Sequence, residues 1–190
     1  EFMPWKPVVG FQSGMISTFG GYDDQYVGAS EVIYDNGDVA IGGPLAQSYG
    51  RQVQGGKYDY LFNIGANISD FIYLGANLGI SSIEYGYDEY FKESAIDPSD
   101  FEINMANGDR MYFKDMNYRY SYNAIGTGYY AKFGVILTPG GGLRLGAAIQ
   151  TPTVNRITEE WQMCGETSYT DAGYNAYANS PYGSGSYTMT

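Results

Sequence analysis

The stretch "YLFNIGANISDFIYLGANLGI", Tyr60–Ile80, carries the triplet GAN on either side of Ser69-Asp70. Tyr60, Phe62, Ile64, Ala66 and Ile68 occupy every second place, with Leu61, Asn63, Gly65 and Asn67 between them. Past Ser69-Asp70 the beat resumes, with Ile72, Leu74, Ala76, Leu78 and Ile80 set against Tyr73, Gly75, Asn77 and Gly79. A period of two sustained this long predicts strands, and two runs joined by a short polar break predict a hairpin. The second face carries most of the information. A soluble sandwich covers its outer face with charge, whereas here that face is Asn and Gly, with no charge from Leu61 to Ser69 or from Phe71 to Ile83. Each arm suits the roughly 9–11 residues of a tilted bilayer-crossing strand better than the roughly 5–6 of a soluble one. The pattern leans toward lipid.

Composition agrees. Of 190 residues only 16% are charged, against about 25% in ordinary soluble domains, yet mean hydropathy is −0.31. The uncharged run 71–83 is too short for a membrane helix of about 20 residues. "EFMPWKP" lacks the basic start and apolar core of a signal peptide, so it reads as a mature form or as part of something longer. A formal charge of −11 repels nucleic acid and suits outward-facing loops. Cys164 is the one cysteine, which rules out an internal disulfide framework. With no histidine, Ser-His-Asp and Cys-His chemistry and most zinc sites are removed. "GTGYYAKFG" lies inside an alternating run and is no phosphate loop. The expectation is a protein that is not an enzyme and uses no cofactor or metal. Carboxylate-only mechanisms stay open, since 21 Asp and Glu are present, but nothing marks out a pair.

Five alternating runs are predicted as strands, near 8–20, 58–68, 71–84, 118–138 and 143–156, with "SYTMT" a possible sixth. Between them lie 21–57, 86–117 and 157–190, read as long surface loops that alternate with the tight turns Ser69-Asp70 and Pro139–Gly142. Outer-membrane barrels alternate short and long connections in this way. Parity places Ile64, Ala66, Leu74, Leu78, Phe133, Val135, Leu145 and Ile149 toward lipid. It places Asn63, Asn67, Asn77, Lys132, Arg144 and Gln150 toward the lumen, as candidates for the ligand path. A basic residue facing mid-bilayer lipid costs about 2–4 kcal/mol, and Lys132 and Arg144 both avoid the apolar phase. Tyr58, Tyr60, Tyr85, Tyr87, Tyr118, Tyr120 and Tyr122 cluster at the run ends that meet long segments, as in an interfacial girdle. "ESAIDPSDFE" suggests a short helical turn. "DNGD" and "NGDR" lack calcium-loop spacing and read as plain turns.

Five or six strands fall short of the roughly eight a membrane barrel needs, and each unpaired edge group in lipid costs several kcal/mol. The expected fold is therefore all-β: a segment of an antiparallel up-and-down transmembrane β-barrel, with residues 1–190 belonging to one barrel domain.

The segments "YDYLFNIGANISDFIYLGANLGI", "GTGYYAKFGVILTP" and "LRLGAAIQTPT", in that order, resemble the FadL/TodX family of outer-membrane transporters, in the form common in Bacteroidetes. The resemblance implies a bacterial outer-membrane barrel of about 14 strands, within the usual range, with an N-terminal hatch in its lumen. It also implies passive uptake of long-chain fatty acids or other apolar compounds. The implied partners are membrane lipid, a hydrophobic small molecule, and the remaining strands and hatch of the same barrel. The family's hatch motif is not in this sequence, so no hatch residue carries over. The alternative is a non-transporting surface barrel, an adhesin or a secretion-complex partner. A soluble lipid-binding barrel is disfavoured by the long segments and the uncharged Gly/Asn face.

Overall fold

The computed structural model describes residues 5–18, 25–104 and 107–190. In chain order these form α1 (Trp5–Gln12), β1 (Ile16–Thr18), β2 (Tyr26–Gly28), β3 (Glu31–Ile33), β4 (Val39–Ile41), β5 (Leu45–Ile68) and β6 (Ile72–Ala95). There follow β7 (Glu102–Asn104), β8 (Arg110–Gly140), β9 (Leu143–Gln150), β10 (Val154–Tyr169), β11 (Ala176–Asn179) and β12 (Gly183–Met189). The chain is mostly β and its sheets are antiparallel, as the alternation required. The large sheet has eight strands and is not closed. Across it the order is β11-β10-β8-β6-β5, with β7 and β9 pairing β8 and β12 pairing β10.

β9 and β10 cover one edge of β8 in succession. Lys132 to Gly140 pair with β9, whereas Gly126 and Gly128 lie against Ile157 and Asn155 of β10. The break falls at Thr151–Thr153, where Pro152 has no N–H for the ladder. Thr151 bridges it: its amide donates to the Ala131 carbonyl at 2.9 Å, and its Oγ1 accepts the Ala131 amide at 3.0 Å.

Both tight turns use left-handed backbone. Ser69 and Asp70 sit at φ 53° and 54°, the signs of a type I′ turn, and the Phe71 amide donates to the Ile68 carbonyl at 3.1 Å. Asn67 holds the turn, donating to Asp70 at 2.6 Å and accepting its amide at 3.0 Å. At the second turn Gly140, Gly141 and Gly142 all have positive φ, which only glycine adopts at no steric cost.

The strand expected near 8–20 is overturned over its described part. Trp5–Gln12 is helix, and only Ile16–Thr18 is extended; residues 19–20 lie outside the described set. Pro7 falls in the first helical turn, where its missing N–H would have no partner anyway. Gly14, at φ 71°, closes the helix. Its amide donates to Phe11 at 3.1 Å and the Met15 amide to Gly10 at 2.9 Å, the paired bonds of a Schellman cap.

The long connections are also corrected. β5 begins at Leu45 rather than 58, β6 runs to Ala95, β8 begins at Arg110 and β10 runs to Tyr169. Extended structure therefore fills much of 21–57, 86–117 and 157–190. Alternation fades there because cross-strand polar pairs replace apolar contact: Tyr49 donates to Glu89 at 3.1 Å, and Gln47 to Glu93 at 2.6 Å. The helical turn within "ESAIDPSDFE" is present at Pro98–Asp100, and Asp97 accepts the Ser99 amide at 2.9 Å. Both NGD segments form the same side-chain turn, the Asp amide donating to the Asn side chain at 3.1 Å. "SYTMT" lies largely within β12.

The chain divides into two compact units. The first comprises Glu1–Gln52, Tyr87–Tyr122 and Trp161–Gly183; the second comprises Val53–Gly86, Asn123–Glu160 and Ser184–Thr190. The first has its own core of Ala29, Phe101, Met111, Phe113 and Tyr169, with Leu45, Ala95, Ile103, Met116 and Tyr174 packed against it. Tyr169 also donates to the Gly14 carbonyl at 3.1 Å, fastening the end of α1. Buried Glu93 accepts from Ser30 at 3.1 Å and from Gln47 at 2.6 Å. In both units, glycine on a strand admits a neighbouring ring: a Cβ at Gly50, Gly183 or Gly79 would strike Tyr90, Trp161 or Tyr130. Glycine is required at these close approaches.

Candidate functional site

The second unit assembles the candidate site. Register pairs Phe133 with Ile149, Val135 with Ala147, and Leu137 with Leu145; between them, Lys132 faces Gln150, Gly134 faces Ala148, and Ile136 faces Gly146. Directly opposed residues share a face, so the apolar phases of β8 and β9 coincide. A hollow of about 640 Å³ extends that face over four strands. It is lined by Ile64 and Ala66 of β5, Leu74 and Ala76 of β6, Phe133 and Val135 of β8, and Ala147 and Ile149 of β9. Ile64, Ala66, Leu74, Phe133, Val135 and Ile149 of the predicted apolar set therefore line one hollow. A second hollow of about 680 Å³ continues it past Phe62, Leu78, Tyr129 and Pro152.

This face is bare. Ile64 is 76% exposed, Ile149 71% and Leu78 63%. Isolated exposed apolar residues are ordinary, but a contiguous patch of this kind marks an interaction surface. About nine residues per strand at roughly 3.4 Å rise give some 30 Å of strand.

On the reverse phase, Lys132 and Gln150 stand opposite one another, and Gly146, Ala148 and Gln150 alternate up β9 from Arg144. Lys132 Nζ lies 5.2 Å from the centre of the Tyr130 ring. Among the described residues neither Lys132 nor Arg144 forms an ion pair; the pairs present in the two units are Lys57–Asp59 at 3.7 Å and Arg110–Glu102 at 3.5 Å. Asn63, Arg144 and Gln150 are exposed, and Asn77 is half-buried. Asn67 is engaged in the Ser69-Asp70 turn. Deeper on this phase, fully buried Ser81 donates to Asp59.

The tyrosines split, which corrects the girdle reading in part. Tyr58 and Tyr60 follow the apolar phase of β5 and are exposed. Tyr87 lies in the phase of Asn77 and Gly79 along β6, and it meets Tyr120 at 5.6 Å and Tyr122 at 5.3 Å. These rings of the first unit form a cluster within the sheet's polar phase. Arg51 lies 4.2 Å over the Tyr87 ring. Neither composition nor alternation pointed to Arg51, because its strand was read as loop; a Tyr-x-Arg spacing at 49–51 was the available signal. Burial, with help from Glu89, Cys164 and Tyr87, pushes the Tyr118 hydroxyl up to about 12. That hydroxyl has no hydrogen-bond partner among the described residues.

No protein-family model matches the chain, and no curated protein matches it.

Proposed function

We propose that the chain forms part of an outer-membrane β-barrel that admits hydrophobic compounds, such as long-chain fatty acids, by passive diffusion. The observation that carries the membrane half of this reading is the uncovered apolar band of the second unit, continuous over β5, β6, β8 and β9. In water such a face invites association; against lipid it is at equilibrium. The reverse phase suits a hydrated lumen, since it carries Asn63, Asn77, Lys132 and Gln150. Lys132 and Arg144 are the residues able to meet a carboxylate head through a charge-assisted hydrogen bond. The transport half follows from the resemblance to FadL/TodX transporters. Uptake of a labelled fatty acid into vesicles carrying the complete barrel tests it, and uptake equal to that of empty vesicles ends it.

A surface barrel that docks a protein partner is the second reading. It is favoured by the first unit, which has a buried core of its own. A barrel that binds vesicles but passes no fatty acid selects it.

A further inference from the structure

Register gathers the polar phase of the second unit into rows. The Thr138 amide of β8 donates to the Phe71 carbonyl, just before β6, at 2.9 Å. Six residues from each along this antiparallel pair, Asn77 stands opposite Lys132. Two further on, Gly79 stands opposite Tyr130, where a Cβ on the glycine would strike the ring. Ser81 of β6 donates to Asp59 of β5, and four residues from each lie Asn77 and Asn63. On the other side of β8, Gln150 of β9 faces Lys132. Directly opposed residues share a face, so Asn63, Asn77, Lys132 and Gln150 form one row across β5, β6, β8 and β9.

The ammonium in this row is held in place. The Tyr130 ring reaches from β8 over Gly79 of β6, and Lys132 Nζ lies 5.2 Å from the ring centre. A ring face attracts a cation, which steadies a side chain whose four-carbon stem is otherwise flexible. Lys132 and Tyr130 are half-buried, whereas Arg144 is exposed. Among the described residues Lys132 forms no ion pair. Asp59, two steps along the same phase of β5 from Asn63, is taken by Ser81 and by Lys57 at 3.7 Å. Arg144 stands apart from the row. It lies six residues down β9 from Gln150, about 20 Å at roughly 3.4 Å per residue, so one head group cannot touch both cations.

We propose that Lys132, Asn77 and Gln150 form a site for the carboxylate of a long-chain monocarboxylic acid, and that Tyr130 is the positioning residue that aims the ammonium. Such a site rests on the transport reading. It places head-group recognition at Lys132 and leaves Arg144, beside the Pro139–Gly142 turn, to meet the acid only on its way in or out. One held positive charge among neutral amides matches a monoanion. A phosphate dianion would bring a second charge that nothing in the row compensates. The ammonium offers three donors and each amide two, enough for both carboxylate oxygens. Because the ring already restrains the lysine stem, less freedom is lost when the acid binds.

Titration calorimetry of the complete barrel in non-ionic detergent, with laurate and with dodecanol, tests the site. Tighter binding of laurate is expected. Lys132→Met should remove that preference, a loss of about tenfold or more, as for a hydrogen bond to a charged group. Tyr130→Leu should forfeit about two- to fivefold of it, while Tyr130→Phe should keep it, because the ring and not the hydroxyl holds the cation. Asn77→Ala should weaken laurate and spare dodecanol. Heat-modifiable mobility checks that each variant is folded, and Lys132→Gln takes the place of Lys132→Met if that chain does not fold. A laurate preference that survives loss of the ammonium overturns the site, and equal losses from the two Tyr130 variants overturn the positioning role. Binding of neither compound by the unsubstituted barrel counts instead against the transport reading.

Discussion

The two units are built from the same long strands and solve opposite problems. In the first, Phe101 and Phe113 meet edge to face at 5.8 Å and are almost wholly buried. α1 packs against β11, and Gly42 and Gly43, just after β4, lie against Asp100 of the 3₁₀ turn. In the second, Ile64, Phe133 and Ile149 are as apolar but have nothing over them, and both faces of β9 are exposed. The difference lies in what each sheet carries: the first is covered by its own apolar core, whereas the second keeps a strict beat that leaves one apolar face uncovered.

The sharpest way to break this contrast is to strike each side by its own mechanism. Phe113→Ala should cost about 3–5 kcal/mol, the usual loss for a buried ring, and the cost should be the same in detergent and in vesicles, read by urea unfolding. Leu78→Arg should cost about 2–4 kcal/mol in vesicles and little in the absence of lipid. Equal costs for Leu78→Arg in the two media would erase the distinction between the units.

Next in size is Gly79→Ala. A Cβ there falls 2.3 Å from the Tyr130 ring, so the substitution should destabilise by about 1–3 kcal/mol as an overpacked site. Tyr130→Ala in the same chain should remove much of that penalty in a double-mutant cycle. Additive losses would show that the ring does not rest on the glycine.

Smaller effects belong to the turns and the reverse phase. Ser69→Gly should stabilise by up to about 1 kcal/mol, because left-handed backbone is costly for a residue bearing a Cβ, and thermal unfolding measures it. Lys132→Ala and Arg144→Ala should each leave folding unchanged, since among the described residues neither side chain forms an ion pair. Under the transport reading, either should reduce fatty-acid uptake modestly and spare a neutral hydrocarbon. Loss of folding from Lys132→Ala would place that side chain in the structural framework instead.

Residues 58–68, 72–84, 118–138 and 143–150 were legible as strands because a period of two runs through each, and extended backbone turns that period into one apolar and one polar face. Both tight turns were legible for a local reason, since Ser-Asp and Pro-Gly-Gly-Gly interrupt the beat with residues suited to left-handed backbone. Local sequence also held the helix, in Pro7 and Gly14, but the alternation of Val9 and Phe11 masked it. Tertiary structure alone decided how far the strands run. Leu45 to Gly56 and Arg110 to Asn117 are extended because neighbouring strands satisfy their amides, and no residue-by-residue pattern records a partner that distant. It also decided that Arg51 lies on Tyr87. Strand order and direction are properties of pairing, and pairing is a relation between segments that no single segment contains.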